Sequence, residues 1–224
     1  MNLRPPFGNL VCNALESGRQ VSVALERPTA EQPYLQAILT SNIPQDAEKA
    51  LLEQAGWHST QDGRSSHAML RLLLTLRELR KIYPTLQVYA VDGPFYNEQP
   101  SSRDEAIGKS VLALSPAAPS GLTLVLTGNV HAMQAPMFGF PTSAMVLPRS
   151  VAVSLEITDA KGSQAWNCVS SGCGSHPSGV PDKDSGRIYG IYLDPTLAPI
   201  GRVDGIFALK TPLTSSPPAI NDVH

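Results

Sequence analysis

The chain has 224 residues, 42% of them apolar and 16% charged, with 17 basic against 19 acidic side chains. That near-balance excludes the basic footprint of a nucleic-acid-binding protein, and no apolar run approaches the roughly 18 residues of a membrane span. With 17 Gly and 20 Pro the chain stays below the ~25–30% of a low-complexity sequence while promising long loops, and collagen, coiled coil and disulfide-dense miniprotein are excluded too.

The first predicted element is a helix over 7–18, with Leu10, Val11, Ala14 and Leu15 on one face and Gly18 as its stop. Residues 20–25 read as a buried parallel strand ending at Glu26. Helices follow over 30–40 and 46–55. The clearest helix runs from Ser66 to Tyr83, where Met69, Leu70, Leu73, Leu76, Leu79 and Ile82 recur at three- and four-residue steps. Ser65 or Ser66 caps it, Arg77, Arg80 and Lys81 sit near its negative end, and Pro84 follows.

A second strand is expected over 86–91, ending at Asp92-Gly93-Pro94. Ser102-Arg103-Asp104-Glu105 has the form of a capping box, opening a helix to about Leu114. Residues 122–126 read as the third strand, ending at Thr127-Gly128-Asn129-Val130-His131. Then come a Met/Phe/Pro loop over 136–148, strands over 151–157, 187–193 and 204–209, and a Ser/Gly-rich exposed loop over 161–186. Strand alternates with helix in the first half, which implies right-handed crossovers and a parallel sheet. The later strands extend that sheet, one of them antiparallel. The expectation is one α/β domain spanning 1–224, a mostly parallel, mixed sheet flanked by helices.

Of the three cysteines, Cys12 lies in an apolar run and reads as a buried small hydrophobe. Cys168 and Cys173 are able to pair in an oxidising compartment, though spacing alone does not fix their geometry. With His176 they form a C-x4-C-x2-H cluster, looser and smaller than the four ligands of a zinc site.

Ligands of open α/β sheets bind beyond the carboxyl ends of the strands. Here those ends carry Glu26-Arg27, Asp92 and Gly128-Asn129-Val130-His131, with Arg103-Asp104 at a helix start on the same rim. A carboxylate, an imidazole and an Arg-Asp pair support general acid-base work or anion binding. Gly128 permits a sharp turn before His131. Asp62 and Arg64, in the polar entry to the long helix, are added as substrate-binding candidates with Asp92, Asp104 and Asn129. Each has a plainer reading as a cap, a turn or a surface pair. No Gly-x-Ser-x-Gly elbow, P-loop or dinucleotide fingerprint is present.

In this order, Val23-Ala24-Leu25-Glu26, Asp62-Gly63-Arg64, Arg103-Asp104 and Leu126-Thr127-Gly128-Asn129-Val130-His131-Ala132 resemble the erythromycin esterase/ChaN-like group of the Tiki/TraB superfamily. Val203-Asp204-Gly205-Ile206-Phe207 is similar to the last strand of such chains. By that resemblance Glu26 matches the family's strand-end Glu, Arg103 its helix Arg, and Gly128 and His131 its second Gly-x-x-His motif. The first such motif, usually within Gly-Glu-x-His-Gly, has no match. It would end a strand just before residue 7, so a lost N-terminal strand is expected. Either the true start lies upstream, together with any signal peptide and with export to the periplasm, or the chain is a degenerate member.

The resemblance implies a small-molecule or peptide substrate and a paired His and Glu that activate water or hold a metal, here His131 and Glu26. ChaN-like members also imply haem or iron binding. Three readings follow. In the first, His131 is general base for hydrolysis of an ester or amide, Glu26 orients it and Arg103 stabilises the oxyanion. In the second, a haem or a divalent metal is bound through His131, with Met133, Met137, Phe138 and Phe140 around it. In the third, the chain is an inactive homologue with an interaction role.

Overall fold

A computed structural model describes residues 5–58, 62–93, 100–114, 121–137, 139–158, 162–177, 188–198, 202–209 and 211–220. The fold is α/β, and the chain forms two compact units. The first consists of Met1–Phe95, Ser110–Leu126 and Ser216–His224, the second of Tyr96–Lys109 and Thr127–Ser215.

In the first unit, helix α1 (Pro6–Glu16) buries Val11, Cys12 and Leu15. It stops where expected: Gly18 adopts φ +79°, a left-handed conformation that costs glycine little. The Gly18 and Arg19 N–H groups then bond the carbonyls of Leu15 and Ala14 at 2.9 and 3.3 Å, closing the helix end. Strand β1 (Val21–Pro28) has Val21, Val23, Ala24 and Leu25 fully buried, as a strand covered on both faces requires. It runs three residues further than its apolar pattern predicts. Its pairing slips between Leu25 and Pro28, so Glu26 and Arg27 lie in an irregularity rather than at a strand end.

A 3-10 turn (Thr29–Glu31) leads into α2 (Gln32–Thr40), with Pro33 in its first turn, where its missing N–H costs nothing. Helices α3 (Pro44–Leu52) and α4 (Ala55–His58) replace the single predicted helix over 46–55. Helix α5 (His67–Ile82) matches its Leu/Met periodicity, and Ser66 Oγ accepts the Met69 N–H at its start. Leu73 and Leu76 are fully buried, each worth about 1.5–3 kcal/mol of transfer free energy. Strands β2 (Gln87–Asp92) and β3 (Leu122–Leu126) flank β1 in the order β2-β1-β3, both parallel to it. The α/β alternation of the first half thus forms the parallel sheet it implies.

Helix α6 (Pro100–Ala113) begins two residues before the predicted cap, so Ser102 lies inside the helix. The second unit adds two short helices, α7 (Asn129–Ala132) and α8 (Ser143–Val146), the latter inside the stretch predicted to be all loop. The later strands do not extend the first sheet. Strands β4 (Leu155–Thr158), β7 (Gly190–Tyr192) and β8 (Gly205–Ala208) form a separate sheet, ordered β4-β8-β7, with β7 antiparallel to β8. Gly205 is needed there, because a Cβ at that position would run into the Tyr192 carbonyl and stand 2.9 Å from Leu193 Cα.

The predicted Ser/Gly-rich loop contains a hairpin, β5 (Gln164–Val169) and β6 (Gly172–Pro177). Cys168 and Cys173 face each other across it and form a disulfide. Residues 161 and 178–186 of that stretch, and Arg187 of the next predicted strand, lie outside the described residues. Among the described residues, no helix is long and apolar enough to cross a membrane.

Candidate functional site

The predicted site residues fall into two clusters. Glu26, Asp62, Arg64 and Asp92 belong to the first unit; Arg103, Asp104, Asn129 and His131 belong to the second.

In the first unit, Glu26 lies in the irregularity of β1 and Asp92 at the end of β2, and both are buried. Arg64 answers both carboxylates: its Nη1 lies 3.2 Å from Glu26 Oε1 and 3.9 Å from Asp92 Oδ2. Asp62 holds Arg64 through both its backbone and its guanidinium. Its Oδ1 accepts the Arg64 backbone N–H at 2.9 Å, capping the 3-10 turn Gly63–Ser65, and its Oδ2 takes Nη2 at 2.6 Å. The hydrogen bonding of Arg64 to Asp62, ahead of the charges of Asp62, Glu26 and Asp92, holds Arg64 above the usual arginine range despite partial burial. Arg64 therefore remains a cation among three carboxylates.

Arg27 supports this cluster from behind. It is 1% exposed and forks onto Glu31, with Nε and Nη2 at 2.8 and 2.6 Å from the two carboxylate oxygens. Its Nη1 donates to the Arg64 carbonyl at 2.7 Å, and its guanidinium lies 4.5 Å from the centre of the Trp57 ring. Burial pulls Arg27 below its ordinary range and pushes Glu31 above its own, each partly offset by the other's charge. No Cβ fits at Gly56, which abuts Glu31 Oε1. The Arg27–Glu31 pair escaped the sequence reading. Its signal was present: opposite charges four residues apart, either side of Pro28.

In the second unit, Arg103 and Asp104 sit in the first turns of α6, and His131 sits on α7. His131 Nδ1 is 2.8 Å from Asp104 Oδ1, and Nε2 is 3.1 Å from Arg103 Nη1. The guanidinium can only donate, so Nε2 must be the acceptor. Nδ1 therefore carries the ring proton and donates it to Asp104. In that tautomer the Nε2 electron pair accepts the Arg103 N–H. Ser143, at the start of α8, also binds Asp104 Oδ1, through its N–H at 2.8 Å and its hydroxyl at 2.6 Å. Sequence reasoning missed Ser143; a Thr-Ser pair before Ala-Met-Val is the helix-start signal that marks it.

Gly128 has φ −66°, an ordinary cap conformation, so the sharp turn expected there is not used. The chain instead enters a helical turn, with the His131 N–H bonded to the Gly128 carbonyl at 3.1 Å. Asn129 is exposed and lines a shallow cleft with Ala132, Met133, Leu155, Glu156 and Val203.

A metal or haem iron at His131 would need the electron pair of Nε2, and a guanidinium already faces that atom. Among the described residues, no three His, Cys, Asp or Glu side chains gather in a way that could hold a metal ion. The Met/Phe loop closes on itself through paired Met137–Phe140 backbone hydrogen bonds of 2.9 Å, and Met133 is buried. Phe138 lies outside the described residues. As arranged, these groups do not fit a haem or metal centre on His131.

No protein-family model and no curated protein matches the chain. Among solved structures it is similar to the type III effector HopBA1, with 12% identity, a TM-score of 0.44, and coverage of 91% of this chain and 82% of that one. The likeness is too distant to carry family or function.

Proposed function

We propose that the protein is a hydrolase in which His131 activates water against an ester or amide, the reaction implied by its resemblance to the erythromycin esterase/ChaN-like family. The supporting observation is the tautomer: Asp104 accepts from Nδ1, leaving Nε2 as the basic atom beside a cation. The orienting carboxylate is thus Asp104, the role first expected of Glu26.

As the water oxygen bonds to the substrate carbonyl carbon, Nε2 takes the water proton. The carbonyl electron pair moves onto its oxygen, and the Arg103 guanidinium supplies the positive charge that stabilises it. Collapse re-forms the carbonyl and breaks the bond to the alcohol or amine, which receives the proton from Nε2. The products are a carboxylic acid and that alcohol or amine.

The test is turnover of a panel of aryl esters and peptide anilides by the purified chain. At least one should be hydrolysed, and His131→Gln should lower kcat/KM by about 10²-fold or more, the usual scale of a lost general base. A His131→Gln enzyme as active as the native one, or no turnover across the panel, contradicts the proposal.

A further inference from the structure

Apart from its disulfide, the β5–β6 ribbon has little to hold it together. Neither strand contains a buried residue, so apolar burial contributes little to the pairing. A two-stranded hairpin without such a face is marginal in water. Strand β6 reads Gly-Cys-Gly-Ser-His-Pro. Its glycines raise the entropy cost of ordering it, and Pro177 brings no N–H to the ladder. The disulfide joins directly opposed residues, one pair before the turn, where Val169 faces Gly172. The linked residues are five apart, and the stabilisation from closing a chain grows with the length enclosed. The bond therefore acts on the ribbon and contributes little to the rest of the second unit.

Hydrogen bonds tie the ribbon to the chain that follows β8. The Gln164 N–H donates to the Leu213 carbonyl at 2.8 Å, the Leu213 N–H to Ser163 Oγ at 2.7 Å, and the Ser215 hydroxyl to Ser175 Oγ at 2.7 Å. The Ser175 hydroxyl in turn donates across the ribbon to Gln164 Oε1 at 2.9 Å. Pairing of β5 with β6 and the placement of 213–215 are thus linked. Both cysteines are exposed, so a thiolate can reach the bond between them. We infer that Cys168–Cys173 is a thiol–disulfide exchange site whose reactant is a dithiol, and that its reduction unlatches the β5–β6 ribbon and with it residues 213–215. A thiolate of the dithiol bonds to one cysteine sulfur. The Cys168–Cys173 bond breaks, and its electron pair leaves on the other sulfur, which takes a proton. The second thiol of the dithiol loses its proton, bonds to the first and releases the remaining cysteine, which takes a proton as well. Two electrons pass to the protein, and the dithiol ends as a disulfide. His176 does not turn the reduced pair into a metal site. Side chains alternate across a strand, so His176 lies on the face of β6 opposite Cys173, with Nε2 3.3 Å from the Gly172 carbonyl. The latch does not depend on the chemistry of His131.

Two measurements test this. In the first, dithiothreitol is added to the native protein and to the same protein unfolded in urea, and the released thiols are alkylated and counted by mass spectrometry. The native bond should open within about tenfold of the unfolded rate, as an accessible disulfide does. Slower opening means a protected staple and overturns the inference.

The second is amide hydrogen exchange by NMR, on the native protein before and after reduction and on the double variant Cys168→Ser, Cys173→Ser without reductant. Reduction should speed exchange at the paired amides of 164–177 and at Leu213 by about tenfold or more, while the amides of β8 stay within about twofold. The double variant should match the reduced protein. A ribbon whose exchange rises by less than this overturns the inference, because the bond is then not what holds the strands. Loss of protection in β8 as well overturns it too, since the disulfide would then be a staple of the whole unit. A double variant as protected as the oxidised protein contradicts it in the same way.

Discussion

Replacing Glu31 by Ala should be the most damaging single change in the first unit. Arg27 is 1% and Glu31 2% exposed, so neither charge has access to water. Two of the three hydrogen bonds that satisfy the guanidinium end on Glu31, at 2.8 and 2.6 Å; the third ends on the Arg64 carbonyl at 2.7 Å. Without Glu31, a buried cation keeps one neutral acceptor and the face of Trp57. Breaking a buried pair in this way costs about 3–5 kcal/mol. For a chain of this length that corresponds to a fall in Tm of roughly 6–20 °C, a large part of a stability of about 5–15 kcal/mol. The double variant Arg27→Met, Glu31→Leu removes both charges and leaves the Arg64 carbonyl without its donor. It should return to within about 2 kcal/mol of the native protein. The chain has two tryptophans, so in a Trp166→Phe background urea unfolding followed by fluorescence reports Trp57, and with it the first unit. A Glu31→Ala loss below about 1 kcal/mol, or a double variant no more stable than the single one, would refute this account of the pair.

Gly56→Ala should cost about 1–3 kcal/mol, because its Cβ would displace the locked Glu31 carboxylate. Gly63→Ala, with nothing within 4 Å of its Cβ, should stay within about 0.5 kcal/mol of native, and the difference is read by the same urea titration. Gly108→Ala would place a Cβ 2.5 Å from Val146 Cβ and 2.7 Å from the Ser143 carbonyl. It should push α8 away from α6, moving the Ser143 amide resonance and destabilising by about 1–3 kcal/mol. Arg64→Met removes a cation lying within 4 Å of Glu26 and Asp92. Arg64 is a third exposed, so solvent screening holds the loss of stability to about 1 kcal/mol, which a comparison of Tm values with the native protein detects.

The first half of the molecule was legible because its pattern is redundant. Leu and Met at helical spacing mark α5, Ser66 and Gly18 mark element ends, and the apolar runs of β1 and β3 admit a buried strand. The extension of β1 through Glu26 and Arg27 was not legible, since burial there rests on an ion pair closed by Glu31 and Trp57, a tertiary event that no periodicity records. The β5–β6 hairpin was hidden for a different reason. Neither strand of this ribbon has a fully buried position, so no period-two apolar signal is imposed on its sequence, and its disulfide is a matter of spatial register. The separation of the later strands into a sheet of their own was equally invisible, because short apolar runs do not say which sheet they join. Arg103, Asp104 and His131 stood out as polar residues at element ends, and the structure brings them together. That Asp104 and Arg103 meet opposite ring nitrogens was not legible, since it depends on where α6 and α7 place them.

The protonation pattern of the His131 ring tests the central claim most directly, by long-range 15N–1H correlation in the native protein at neutral pH. The account requires the proton on Nδ1 and a hydrogen-bonded electron pair on Nε2, with the Nδ1 signature altered in Asp104→Asn. A proton resident on Nε2, with Nδ1 bare, would contradict it.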